Sequence, residues 1–204
     1  MSELYLIRHA RSTWNTEGRM QGWADMPLDD LGLIQAQALA ERLKSCSFEA
    51  IYSSPLARAR QTAETVAAHH HLAVRLDERL RERNLGKWTG LTGTEAEQQY
   101  PGLRGSENWR VAGPPEGEGQ AQLAARAAAA FADILTANTH GSVAVFSHGG
   151  TISAYLAHLL GLSPESPVHF PLENTGIARV RVEQGQVYFL SFGDERHLEA
   201  MREL

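Results

Sequence analysis

The sequence of 204 residues contains one cysteine, Cys46, so no disulfide can form within the chain. It contains no apolar stretch approaching the roughly 20 residues that a membrane-spanning helix needs. The first strand-like segment begins within three residues of Met1, which leaves no space there for a basic and apolar signal peptide. These features predict a protein of the reducing cytoplasm.

Positive charge is also in short supply, because 19 Lys and Arg residues face 24 Asp and Glu residues and the net charge is -5. This balance gives no general attraction to nucleic acid or to an anionic membrane, so we expect neither as a partner. An anionic substrate would therefore have to be bound by a local cluster of a few cationic side chains. With 43% hydrophobic residues, the chain can bury one substantial core, and we predict a single domain over residues 1–204.

Several catalytic motifs are missing. Cys46 is not followed by the arginine that a cysteine-type phosphatase carries six residues later, since Tyr52 stands there. Gly117 and Gly119 do not form a dinucleotide-binding loop, because Gln122 occupies the third glycine position. A Walker-type lysine and paired metal-ligand motifs are absent as well. We therefore predict no metal site and no cofactor.

The strongest positive signal lies at the start of the chain. Residues 4–7 form a bulky apolar run without alternation, which is typical of a strand buried on both faces of a parallel sheet. Arg8 and His9 follow directly. Because ligands of open α/β sheets bind beyond the carboxyl ends of the strands, we expect this pair to lie at a site. The working hypothesis is that His9 is a nucleophile and Arg8 binds phosphate.

Three later segments repeat this arrangement. A short strand over residues 50–52 leads into Ser53, Ser54 and Pro55, a helix-start signal that places Arg58 one turn from free backbone amides. Another strand, over residues 143–146, ends before His148 and Gly149, and Glu82 follows a third strand near residues 72–76.

The order of the elements predicts the fold class. Helical periodicity is predicted at residues 29–43, 56–66, 120–138 and 152–160, between the strands, and a hairpin turning at Gln184 and Gly185 closes the chain at the sheet edge. The sequence therefore indicates an α/β protein with three layers, helices on both faces of a mostly parallel central sheet (α/β/α). Residues 80–119 are interpreted as an excursion over the site, with Tyr100, Trp109 and Pro114 lining a lid.

These motifs resemble the histidine phosphatase superfamily, which has the phosphoglycerate mutase-like fold. The family hallmark is Arg-His-Gly after the first strand, and here Arg8, His9 and Ala10 stand in those positions. Nearly the whole chain is covered, and further matching residues include Trp14, Asn15, Gly18, Arg19, Gln21, Gly22, Ser53, Ser54, Leu56, Arg58, Gln61, Thr62, Leu80, Glu82, Gly86, Trp88, Gly90, Ser147, His148, Gly149 and Gly150.

The resemblance implies a set of roles. His9 would attack phosphorus as neutral imidazole and become phosphohistidine. Arg8, Arg58 and a protonated His148 would surround the phosphoryl oxygens, with Gly149 beside them, and no metal would be required. Glu82 would donate a proton to the leaving oxygen and then activate water. Asn15 and Gln21 would either add hydrogen bonds to phosphate or order their loop.

Some assignments stay open at this point. Glu118 is an alternative to Glu82. Ala10 replaces the family glycine, and a positive φ there would cost about 1 kcal/mol. Arg11 stands where the family often has glutamate and adds a cation near the site. His158, His169 and His197 are interpreted as structural or surface residues, whereas Met20, Trp23 and Trp109 are candidates for an apolar rim.

The predicted function is hydrolysis of small phosphate monoesters. The alternative is a bisphosphoglycerate-dependent phosphoglycerate mutase, but mutases of this fold carry a tyrosine and lysines after the acidic residue, whereas Asn84, Leu85 and Trp88 are typical of phosphatases. A catalytically inactive module that binds phosphate or phosphoproteins is a third candidate. The sequence determines neither the natural substrate nor the oligomeric state, for which a homodimer is one option.

Overall fold

The computed structural model describes residues 1–102, 113–166 and 168–201. The strands are β1 (Ser2–Arg8), β2 (Phe48–Ser53), β3 (Val74–Leu76), β4 (Gly141–Ser147), β5 (Ile177–Glu183) and β6 (Gln186–Asp194). The α-helices are α1 (Thr13–Thr16), α2 (Asp30–Leu43), α3 (Ala57–His70), α4 (Gly93–Gln99), α5 (Gln120–Ala137) and α6 (Gly149–Leu159). Short 3₁₀ helices span Glu78–Leu80, Gly86–Trp88 and Arg196–Met201.

The six strands form one sheet in the order β3-β2-β4-β1-β5-β6. The first four strands in this order are parallel, and β5 and β6 add an antiparallel hairpin at the edge. Gln184 and Gly185 both adopt positive φ, at 49° and 77°, as a two-residue hairpin turn requires. The predicted α/β class, the mostly parallel sheet and the edge hairpin are confirmed.

Helices cover both faces of the sheet. On one face, Leu4 and Leu6 of β1 pack against Phe131 of α5 and Tyr155 of α6. On the other face, Ile7 packs with buried residues of α2 and α3. Strand β1 is therefore buried on both sides, as its unbroken apolar run predicts. No helix in the described residues is long and apolar enough to cross a membrane.

The pairing of β1 with β4 fixes the position of the site. The two strands are parallel neighbours, with Arg8 opposite Ser147, and the amide of His9 continues the ladder by donating to the Ser147 carbonyl at 3.0 Å. Both strands end at the same edge of the sheet. His9 and His148, each one residue beyond its strand, consequently lie side by side.

Two predicted helix starts are wrong in detail. Helix α3 begins at Ala57 with Leu56 as its N-cap, so the serines before Pro55 do not cap it. The Ala57 amide instead donates to the Asp25 carboxylate at 2.5 Å, which occupies an amide expected to bind an anion. Helix α6 begins at Gly149 because His148 takes the N-cap position, three residues earlier than the apolar pattern indicated.

Ala10 causes no backbone strain. It is absent from the described residues with positive φ, and its methyl group is fully buried beside Leu28 and Ala36. Its amide donates to Thr62 Oγ1 at 3.0 Å. The replacement of glycine therefore adds a packed methyl group next to His9.

Gly32 in α2 allows the helix to approach the chain just after His9, and replacing it should destabilise the protein. A Cβ atom at Gly32 would lie 1.9 Å from the Arg11 carbonyl oxygen. We expect Gly32→Ala to lower the free energy of unfolding by about 3 kcal/mol, as overpacking against backbone does. Urea denaturation measures this. Leu33→Ala, at an exposed position on the same helix, is the control, and unchanged stability of Gly32→Ala would contradict the packing described here.

Candidate active site

A cavity of about 560 Å³ lies beyond the carboxyl ends of β1 and β4. Its wall includes seven of the predicted site residues, Arg8, His9, Asn15, Gln21, Arg58, Glu82 and Gly149. These residues come from separate parts of the chain, and the sheet topology brings them together.

His9 is held in one tautomer by its own backbone. Its Nδ1 lies 2.7 Å from the Ala10 carbonyl oxygen, and a carbonyl can only accept, so Nδ1 carries the proton. In the neutral ring, Nε2 then keeps its lone pair. Burial, and after it the charges of Arg58 and Arg8, hold the pKa of His9 well below its ordinary value of 6.5. The side chain is thus a neutral imidazole with one available nucleophilic nitrogen.

Two buried arginines flank His9. Arg58 is 1% exposed and donates to the carbonyls of Ala24 at 2.8 Å and Gly22 at 2.9 Å. Burial lowers the pKa of Arg58 to about 10, so it stays charged at neutral pH. Arg8 donates to the Leu172 carbonyl at 2.5 Å, and burial lowers its pKa as well. Both guanidinium groups keep further N–H donors for a ligand.

Glu82 lies at the N-terminus of α6. Its Oε2 accepts from the Gly150 amide at 3.1 Å, and its Oε1 accepts from the Arg83 amide at 2.8 Å. A Cβ on residue 150 would come within 2.4 Å of Oε1, so a side chain there would displace the Glu82 carboxyl from this position. These two amides hold the carboxyl group of Glu82 in place at the cavity wall.

Glu118, the alternative acid, is not on the cavity wall. Its carboxylate is paired with Arg126 at 2.7 Å and accepts from the Asn84 amide at 3.2 Å. The structure therefore favours Glu82 over Glu118. A second carboxyl, Glu173, does line the cavity and was missed by the sequence analysis.

His148 lies against His9 and is fully buried. The two rings are 5.1 Å apart between centroids, and His148 is not among the residues that line the cavity. Its Nε2 lies 2.8 Å from Ser54 Oγ, and its Nδ1 has no hydrogen-bond partner within the described parts of the chain. Burial, followed by the charge of Arg58, holds the pKa of His148 well below 6.5. The expectation of a protonated His148 therefore does not fit this site.

Asn15 and Gln21 order their loop and also lie on the cavity wall. Asn15 Oδ1 accepts from the Ser12 amide at 3.0 Å, and Gln21 Oε1 accepts from Ser12 Oγ at 2.8 Å. Both side chains thereby order the loop after β1. Both also line the cavity, so each can reach a ligand through its amide nitrogen.

The part of the cavity wall formed by the connection before β5 was not predicted from the sequence. His169, Phe170, Leu172 and Glu173 line it from the connection before β5, so the interpretation of His169 as a surface or structural residue was incomplete. This connection has no periodicity or motif that could have indicated its position. Further residues on the wall are Arg19, Met20, Gly22, Arg83, Leu85, Trp88, Gln120, Leu123, Gly150, Ser153 and Pro171.

Other predicted wall residues lie elsewhere. Arg11 forms an ion pair with Asp29 at 2.8 Å and does not line the cavity. Tyr100 and Pro114 are also absent from the wall, and Trp109 lies outside the described residues.

The structure also locates the residues predicted for an apolar rim and the remaining histidines. Met20 is on the wall, whereas Trp23 donates from Nε1 to the Glu82 carbonyl at 2.7 Å. His197 Nε2 lies 2.9 Å from Thr175 Oγ1, which supports the structural interpretation, and His158 is exposed.

Comparison with known proteins identifies the class. The model of the histidine phosphatase superfamily (branch 1) matches residues 4–195. The chain belongs to this superfamily. It is 33% identical over 98% of its length to a protein named probable phosphoglycerate mutase GpmB from Yersinia enterocolitica, of which it covers 96%.

Solved structures agree with this assignment. YhfR from Bacillus stearothermophilus superimposes with a TM-score of 0.89 and 32% identity, covering 98% of this chain and 100% of that one. A mycobacterial glucosyl-3-phosphoglycerate phosphatase superimposes with a TM-score of 0.85 and 29% identity, covering 94% of this chain and 98% of that one. A phosphoserine phosphatase mutant from Entamoeba histolytica, in complex with phosphoserine, superimposes with a TM-score of 0.84 and 30% identity. This match covers 97% of this chain and 100% of that one.

The buried histidines generate a prediction about pH. In the folded protein, the NMR signals of the His9 and His148 rings should not titrate near pH 6.5, because burial and the arginines oppose protonation. Unfolded chains bind these protons near pH 6.5, so the free energy of unfolding should fall as the pH drops through that value. The protein in denaturant is the control. A transition of either folded ring at or above pH 6.5 would contradict the described electrostatics.

Proposed function

We propose that this protein is a metal-independent phosphomonoesterase that hydrolyses small organic phosphates through phosphohistidine at His9. The observation that carries the proposal is the hydrogen bond from His9 Nδ1 to the Ala10 carbonyl, beside two buried arginines on the same cavity wall. Phosphoryl transfer needs an aligned nucleophile and positive charge at the phosphoryl oxygens. Arg8 and Arg58 supply that charge from preorganised positions.

In the first step, the lone pair of Nε2 attacks phosphorus and the bond from phosphorus to the ester oxygen breaks. Glu82, as a carboxylic acid, gives its proton to the leaving oxygen. The Nδ1 proton stays on the ring and remains bound to the Ala10 carbonyl, so the phosphorylated imidazole is cationic and its charge is offset by the phosphoryl group.

In the second step, the Glu82 carboxylate takes a proton from water as the water oxygen attacks phosphorus. The bond from phosphorus to Nε2 breaks, and its electron pair returns to the ring. Inorganic phosphate leaves, His9 is again neutral, and Glu82 is again protonated for the next turnover. One carboxyl thus serves as acid and then as base.

His148 has a supporting role in this proposal. Ser54 Oγ accepts from the Leu56 amide at 3.3 Å, so its own proton can be donated to His148 Nε2. The His148 proton then sits on Nδ1, and the neutral ring packs against the ring of His9 and helps to hold it in place. Asn15, Gln21 and the backbone at Gly149 would add donors to the phosphoryl group beyond those of Arg8 and Arg58.

The relatives support small phosphorylated substrates and also motivate the second candidate. One solved relative is a glucosyl-3-phosphoglycerate phosphatase, another is a phosphoserine phosphatase, and the Yersinia relative is named a probable phosphoglycerate mutase. An isomerisation assay with bisphosphoglycerate and 3-phosphoglycerate separates the two activities. We expect release of inorganic phosphate without isomerisation, and isomerisation as the faster reaction would favour the mutase.

Removing the nucleophile should abolish turnover. We expect His9→Ala to lower kcat for p-nitrophenyl phosphate by about a thousandfold or more, as loss of a catalytic nucleophile does. His158→Ala, at an exposed histidine outside the cavity wall, is the matched control. All assays contain a metal chelator. Equal rates of wild type and His9→Ala, or activity lost to the chelator, would contradict the mechanism.

The proton-donor role of Glu82 makes a narrower prediction. Glu82→Gln should slow leaving-group release in the first turnover by about a hundredfold for alkyl phosphates but by less than about tenfold for activated aryl phosphates, which need no proton. Glu173→Gln, at the other carboxyl on the wall, should show no such dependence on the leaving group. A uniform loss in Glu82→Gln would count against the acid role.

A further inference from the structure

The segment that carries Glu82 lies outside regular secondary structure, yet its backbone is held tightly. Side-chain donors bind three consecutive carbonyls: Ser147 Oγ binds that of Leu80, Thr151 Oγ1 that of Arg81 and Trp23 Nε1 that of Glu82, each at 2.7 Å. Carbonyls in such a segment would otherwise depend on water. The protein thus fixes the backbone on which the Glu82 side chain is mounted.

Arg126, on helix α5, is the largest contributor to this fixation. Its Nη1 donates to the carbonyls of Arg79 at 2.6 Å and Arg81 at 2.9 Å, and its Nη2 donates to the Glu82 carbonyl at 3.3 Å. The remaining two N–H groups bind the Glu118 carboxylate, at 2.9 Å from Nε and 2.7 Å from Nη2. All five donors of the guanidinium are therefore used.

Glu118 extends the same contact beyond Glu82. Its carboxylate also accepts from the Asn84 amide, its backbone amide donates to the Asn84 carbonyl at 2.8 Å, and its carbonyl accepts from Arg83 Nε at 2.6 Å. The side chains of Arg126 and Glu118 are 16% and 12% exposed, so the pair is largely screened from solvent. Arg126 and Glu118 together hold the chain on both sides of Glu82.

We infer that Arg126 is a positioning residue for Glu82: it sets the backbone position from which the Glu82 carboxyl meets the reacting oxygens. This inference rests on the proposed acid and base role of Glu82. Arg126 is not on the cavity wall, so it would act on the reaction through Glu82 and its neighbours rather than by touching substrate. A displacement of about 1 Å in a reacting group can cost about a hundredfold in rate. A lysine cannot replace the planar fork that spans three carbonyls and a carboxylate.

The test measures leaving-group release in the first turnover with alkyl and activated aryl phosphates. We expect Arg126→Met to slow the alkyl substrate by roughly tenfold to a hundredfold and the aryl substrate by less than about threefold. The double variant Glu82→Gln with Arg126→Met should be no slower than Glu82→Gln alone, because both changes remove the same function. Arg126→Lys should recover only part of the loss.

Arg79→Met is the matched control, since the Arg79 side chain forms surface ion pairs with Asp77 and Asp133 and should not change either rate. If Arg126→Met does not fold, Arg126→Lys and Glu118→Gln carry the same test. Equal loss with both substrates, or losses that multiply in the double variant, would overturn the inference. If Glu82→Gln itself shows no dependence on the leaving group, the proposed acid role of Glu82 fails instead.

Discussion

The parallel pairing of β1 with β4 is the constraint on which the site depends. With Arg8 opposite Ser147, the two strands end together and place His9 and His148 in ring contact. A slip of one residue in this register would exchange the side chains that β1 packs into the two cores, Leu4 and Leu6 on one face and Ile7 on the other. The two buried cores therefore maintain the alignment of the two histidines.

Burial gives the cavity its electrostatic character. Removing Arg8 and Arg58 from water costs free energy. Backbone carbonyls, the negative charge of Glu173 near Arg8 and that of Asp25 near Arg58 offset part of this cost. The same arginines help to keep His9 and His148 neutral. An entering phosphoryl group would supply the missing negative charge. In the proposed function, the protein thus holds its nucleophile in the reactive state before substrate arrives.

The sequence predicts those features that have local signals. Apolar runs locate the strands, and Arg8 and His9 are polar residues directly after the first of them. For this reason the sequence could predict two residues that the structure places on the cavity wall. Contacts between distant segments have no local signal. The hydrogen bond from the Ala57 amide to Asp25 is one example, and the position of His169 and Glu173 on the cavity wall is another. Both depend on the way the connections fold back over the sheet.

The protonation states of buried side chains could not be predicted from the sequence either. The motif suggested a protonated His148, but its complete burial next to two arginines favours the neutral ring. The backbone at Ala10 was equally undetermined, because residue identity alone does not give φ. In each case the decisive quantity depends on contacts with residues that are distant in the sequence.

The most direct test of the central claim is the position of the phosphoryl group on the trapped enzyme. A reaction with an activated aryl phosphate is quenched in alkali within the first turnover, and the phosphorylated peptide is analysed by mass spectrometry and ³¹P NMR. Because Nδ1 is bound to the Ala10 carbonyl, we predict phosphohistidine at His9, substituted on Nε2. Phosphate on Nδ1, on another residue, or on no residue while turnover continues would contradict the account.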